Sequence, residues 1–464
     1  MQKRADALDA LRGIAILLMI LSGSIPFAGM LPEWMYHAQL PPPMHKFNPN
    51  LPGLTWVDLV FPFFLFAMGT AFPFALSKKI KNGIPNWKIS LQIIQRGLLL
   101  AFFAIFIQHF KPYALNPSPS IFDWLTGILG FILLFGLFLR FPNSLNKNFV
   151  YAIRTVSIIT TLVLFYILKY PNGASFSLGR SDIIILVLAN TAVFGSLIWV
   201  FTKDNLLLRL GILGFLFAFR LTQSVEGSWN EWLWDFSLFP WLYKLYYLQY
   251  LFIVIPGTII GDILLKWMNS NDKEIEMLSS KPFAVIAIIS SLIVFTNLVF
   301  LQSRMLIINL TTILALLIVI YFILRKGVNE LLQKLFNWGS YWLLLGLAFE
   351  AFENGIKKDH STLSYYFVTT GLAIFTYMFL TILIDYLKIK KGFRTIIENG
   401  QNPMIAYVAG SLLWMPIFAV TGFDKLLNMM IINPWMGFLK GIIFTSFVAF
   451  TASFFTKKKL FWRT

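Results

Sequence analysis

Two of the four histidines in the chain, His37 and His45, fall in one segment with Glu33, Trp34, Lys46 and the run Pro41, Pro42, Pro43. An imidazole titrates near neutrality, so the pair marks this segment for general-base or nucleophilic chemistry, with Asp58 as the carboxylate that could orient a ring. A solvated surface histidine is the ordinary alternative. Metal binding is a weaker reading, because two histidines eight apart in a proline-rich stretch match no ligand spacing and there is no cysteine. The absence of thiols also excludes disulfides, zinc-thiolate centres and cysteine nucleophiles.

Other polar residues interrupt apolar runs, where each needs a partner, a wet cavity or a task. Arg12, Arg96 and Asn402 fall toward one end of such runs, and the arginines could hold an anion there. Asp9 and Arg12, three apart, could equally form an ion pair on one helix face. Glu350 and Glu353, also three apart, would repel each other unless one is protonated, a cation lies nearby or both reach water; they are candidate ligands for an amine. Trp229 leads a cluster with Trp232, Trp234 and Trp241 among acidic residues. That cluster suits either sugar stacking or an interfacial aromatic belt.

The elements that must position these groups are membrane helices. Of 464 residues, 58% are hydrophobic, 17% aromatic and only 13% charged, and apolar runs of about twenty residues recur from end to end. Such runs in lipid must satisfy their backbone groups internally, and the alternation of a β-barrel is missing. The expectation is an all-α polytopic bundle of about 11–14 transmembrane helices, forming one domain over 1–464. Two further segments stand out: the Pro/His-rich stretch 29–53 and a basic tail, 457–464. The net charge of +17 belongs to insertion rather than to nucleic acid: roughly 23 Lys or Arg lie on one side and roughly 8 on the other. This places both termini in the cytoplasm and the 29–53 segment outside. Lys3 and Arg4 before the first apolar run could mimic a signal peptide, but the run is long and no clear small-x-small cleavage site follows it, so the expectation is that it is retained.

Three blocks carry a family resemblance. Asp9-Ala10-Leu11-Arg12-Gly13-Ile14-Ala15, the pair His37-Ala38 and the run Gly53 to Phe66 resemble the heparan-alpha-glucosaminide N-acetyltransferase family and its bacterial relatives, some labelled putative amino-sugar transporters. Asn402-Pro403-Met404-Ile405-Ala406-Tyr407 and the tail Lys459-Leu460-Phe461-Trp462-Arg463 are similar to later blocks of that family. The resemblance implies transfer of acetyl from cytosolic acetyl-CoA, as co-substrate and without metal, to an amino sugar or glycan across a bacterial inner membrane. By the His-Ala pairing the family histidine corresponds to His37, with His45 a rival because the segment carries an insertion. Asp58 matches the family's acidic residue. Gly23 and the Gly130-Phe131 pair replace polar residues of the pattern, which leaves the acceptor open.

On this reading Arg12 and Arg96 hold the phosphates of CoA, and Asn402 binds the donor or caps its helix. Glu350, Glu353 and Trp229 bind the acceptor, while His37 or His45 acts as base or carries acetyl, oriented by Asp58. Its partners are acetyl-CoA, the amino sugar or glycan and the bilayer, and a homodimer is compatible with it. A transporter of an amino sugar or oligosaccharide is the competing class; the break Pro256-Gly257 lacks the counterpart in a second half that inverted repeats would supply.

Overall fold

The computed structural model describes residues 5–27, 31–142, 144–269, 280–326 and 329–464, and among them every regular element is helical. The long helices are α1 Asp6–Ser22, α2 Trp56–Lys81, α3 Asn86–Phe110, α4 Ile121–Phe138, α5 Lys147–Ile167, α6 Ile183–Thr202 and α7 Leu206–Thr222. They continue as α8 Leu251–Asn269, α9 Ser280–Gln302, α10 Leu306–Leu324, α11 Glu330–Phe352 and α12 Leu363–Thr381. The chain then forms α13 Arg394–Gln401, α14 Pro403–Thr421 and α15 Pro434–Lys457. Eleven helices among the described residues are long and apolar enough to cross a bilayer, so this is an integral, multi-pass, all-α membrane protein.

Glycines let the central helices touch. A side chain on Gly69 of α2 would meet the Val254 carbonyl of α8, and one on Gly257 of α8 would meet the Phe66 carbonyl of α2. Apolar side chains gain nothing by leaving lipid, so close backbone approach supplies the dispersion contact that holds such helices together. Pro256-Gly257, expected from sequence as a break, instead lies within the continuous helix α8, where Gly257 serves the packing. Around this centre, α12 is buried on nearly every side, and one apolar cluster runs from Ala7 to Trp462.

Buried polar groups pair across helices. Arg209 of α7, 1% exposed, donates to Asp262 of α8 at 2.7 Å and to Thr258 at 3.1 Å, while Trp199 of α6 donates to the other Asp262 oxygen at 2.9 Å. A guanidinium inside a membrane is tolerated because its donors are met in this way.

Two ends of the bundle concern function. Contacts between the segment before α2 and the turn between α11 and α12 define one, the histidine end: Gly53 N–H donates to Ile356 C=O at 2.9 Å. The other, the basic end, gathers the tail after α15. There Arg140 N–H donates to Phe461 C=O and Arg463 N–H to Phe138 C=O, at 2.9 and 2.8 Å.

Candidate active site at the histidine end

Asp58 is the third residue of α2 and 1% exposed. Its Oδ2 accepts the N–H groups of Thr55 and Ala38, at 3.1 and 3.2 Å, and the Thr55 hydroxyl lies 3.1 Å away. This is a capping box: a carboxylate in the first turn meets free amides and the positive end of the helix dipole, which fixes its direction. Because Ala38 follows His37, the same bonds place the imidazole. His37 Nε2 lies 3.3 Å from Asp58 Oδ1 and 3.4 Å from Asp359 Oδ2. Lys358 Nζ reaches Asp58 Oδ1 at 3.8 Å.

The tautomer follows from the opposite edge of the ring. Gln39 N–H donates to His37 Nδ1 at 3.0 Å, so Nδ1 carries a lone pair and the ring proton resides on Nε2, between two carboxylates. The Gln39 N–H occupies the Nδ1 lone pair, so Nδ1 can accept a proton only where that bond is exchanged, while the opposite edge of the ring faces Asp58 and Asp359. The His37 contact and the charge of Lys358 hold the Asp359 carboxyl below its ordinary range, against a burial that would raise it.

Gln39, 1% exposed, fastens the two halves of the site. Its Oε1 accepts Asp359 N–H at 2.9 Å, its Nε2 donates to Pro49 C=O at 3.0 Å and also meets Asp359 C=O. From below, Tyr365 of α12 donates its hydroxyl to the Asp58 carbonyl at 2.9 Å. Gln39, Lys358, Asp359 and Tyr365 are absent from the sequence reading. A glutamine beside a histidine is an ordinary surface pair, and only the fold brings 358 and 359 to it.

Other expected residues stand elsewhere. His45 packs its ring against Tyr36 at 4.4 Å and Phe27 at 5.0 Å, and its Nδ1 lies 3.3 Å from Leu40 C=O, so the carboxylate pair belongs to His37. Glu350 is buried against Arg304, and Glu353 accepts Leu363 and Ser364 N–H, each at 2.8 Å, at the start of α12. Neither glutamate is presented as an amine ligand, and the expected repulsion between them is relieved by these separate partners. Trp229 heads a short helix, Trp229–Asp235, and is 67% exposed with Phe219 edge-on at 5.6 Å. Beside it Glu231, Trp232 and Asp235 line an open groove of about 510 Å³.

At the basic end, Arg12 donates to Gly400 C=O at 3.0 Å and lies 3.3 Å from Asp9, the ion pair that the spacing suggested. Arg96 is exposed, its Nε donating to Thr464 Oγ1 at 3.3 Å. Asn402 is a correction. It is 0% exposed and makes no side-chain cap; instead Nδ2 donates to Leu460 C=O at 2.9 Å, and Oδ1 accepts Trp462 N–H at 3.3 Å. It clamps the tail rather than presenting a donor to a ligand. Among the described residues no group of three His, Asp or Glu is arranged to hold a metal ion.

A family model described as "Domain of unknown function (DUF5009)" matches residues 4–264, a stretch that contains Arg12, His37, Asp58 and Arg96. No curated protein matches the chain.

Proposed function

The chain belongs to the DUF5009 family, whose description assigns no activity, and from its site we propose a transmembrane acyltransferase that passes acetyl from cytosolic acetyl-CoA to an amine of an extracytoplasmic amino sugar or glycan. The observation that carries this reading is the His37 imidazole, with its proton-bearing Nε2 between Asp58 and Asp359 and its Nδ1 turned to an N–H donor. An acceptor amine would replace the Gln39 amide at Nδ1. As its nitrogen attacks the thioester carbonyl, His37 takes the proton, the C–S bond breaks and CoA leaves as the thiolate. The two carboxylates stabilise the imidazolium and favour an ammonium-bearing acceptor, which gives one proton to solvent to become the attacking amine. The arginines at the basic end suit the phosphates of CoA. A lysine-rich basic end facing the cytosol of a bacterial inner membrane fits the charge bias.

A carrier of an amino sugar is the second reading, favoured by the interruption at Asn402 between α13 and α14. Transfer of labelled acetyl from acetyl-CoA to glucosamine-terminated glycans by the full chain in liposomes separates the two. Transfer that needs His37 supports the enzyme; sugar uptake without transfer or CoA binding overturns it.

A further inference from the structure

Three arginine side chains bond to neighbouring residues at one corner of the basic end. Arg12 donates to Gly400 C=O at 3.0 Å and Arg463 to the next carbonyl, Gln401, at 3.2 Å; Arg96 donates to Thr464, the residue after Arg463, at 3.3 Å. Asp9 lies beside Arg12, at 3.3 Å. Glu398, one turn away on α13, is turned to Arg394, Lys457 and Ser453.

The tail that supplies Arg463 is built in rather than draped. Asn402 grips Leu460 and Trp462, main-chain bonds to Phe138 and Arg140 hold residues 461 and 463, and Trp462 is 1% exposed with Phe131 at 5.5 Å and Phe135 at 4.9 Å. Gathering three like charges costs Coulomb energy, and anchoring one of them on both sides removes the freedom by which it would swing away. A multiply charged anion relieves that cost, and planar guanidinium groups match the oxygens of phosphate.

We propose that this corner binds a phosphate-bearing ligand and that Arg463, delivered by the tail, is a binding residue alongside Arg12 and Arg96. If the function proposed above holds, the ligand is CoA, and the tail completes the donor site; the phosphate chemistry itself does not depend on that reading.

The test is binding of CoA, of adenosine 3′,5′-bisphosphate and of inorganic pyrophosphate to the full chain in detergent, by calorimetry. Wild type is compared with Arg463→Ala, Arg463→Gln, Arg463→Lys and, as a control at the histidine end, Lys425→Ala, each checked for an unchanged melting temperature. We expect Arg463→Ala and Arg463→Gln to weaken CoA about tenfold, a loss of one charge-assisted contact. Arg463→Lys should fall between, and Lys425→Ala should match wild type. CoA bound equally by wild type and all Arg463 variants overturns the inference and leaves the donor reading standing. Pyrophosphate binding that depends on Arg463, without CoA binding, supports the anion site and removes the acetyl-CoA donor. No binding of any of the three overturns both.

Discussion

Gln39 and Asp359 hold each other twice: the amide of Asp359 donates to Gln39 Oε1 at 2.9 Å, and Gln39 Nε2 returns a bond to the Asp359 carbonyl. Two segments 320 positions apart thereby become one wall of the site, and Asp359 is set against His37. Replacing Gln39 by leucine leaves a buried amide and two carbonyls unmatched, at a cost of about 1–3 kcal/mol. We expect a lower melting temperature and lost acetyl transfer in Gln39→Leu. Wild-type stability would show that the pairing contributes nothing.

The two histidines are separable. His37→Ala removes the group between the carboxylates and should lower transfer by about 10²–10⁴, the range of general-base catalysis. His45→Ala removes a ring packed on Tyr36 and should retain transfer with reduced thermal stability. Rates of both variants at saturating acetyl-CoA decide the matter, and equal losses would place the chemistry elsewhere.

Much of the fold was legible because apolar runs in lipid have one backbone solution, and Asp58 was legible as a carboxylate able to orient a ring, whereas its place in a capping box appears only in the fold. Lys358 and Asp359 were not, since no local pattern says which turn of a bundle covers which helix end. Glu353 misled for a related reason: its carboxylate looked available, yet it accepts the first amides of α12, a partner that exists only once the chain turns between Phe352 and Leu363. Asn402 marked a helix start correctly, while its side chain is directed to a tail that sequence alone treats as a charged end.

Asp359 makes stability depend on pH. Its carboxyl is held below the ordinary value chiefly by His37, so the folded state binds its proton less readily than the unfolded chain does. The stabilisation is therefore present above the unfolded value, about pH 4, and is lost as pH falls through the lower folded value. Denaturation midpoints measured from pH 6 downward should drop less steeply in Asp359→Asn than in wild type, and parallel curves would exclude the coupling.

The Arg209–Asp262 pair is a structural strut. Arg209→Ala strands a carboxylate against Trp199 in the bundle, and removing one partner of a buried pair costs roughly 3–5 kcal/mol. The double replacement Arg209→Met with Asp262→Leu should recover most of that loss, because no charge is left uncompensated. Melting temperatures in detergent test this; a double variant as unstable as Arg209→Ala would mean that the pair does more than neutralise itself.

Helix α13 meets α1 through two glycines, and that crossing ties packing to the basic end. A Cβ on Gly400 would collide with the Asp9 carbonyl, and one on Gly13 with the Ile396 carbonyl; both obstacles are backbone, so neither helix can yield without moving bodily. Because Arg12 donates to the Gly400 carbonyl, Gly400→Ala should shift the guanidinium as well as lower stability. Gly392, just before α13, has open space around its Cβ position and provides the comparison. We expect Gly400→Ala to lower both the melting temperature and CoA affinity, whereas Gly392→Ala should leave both near wild type. Equal behaviour of the two variants would show that the helices are not in backbone contact there, and the arrangement of Arg12 beside the tail would lose its support.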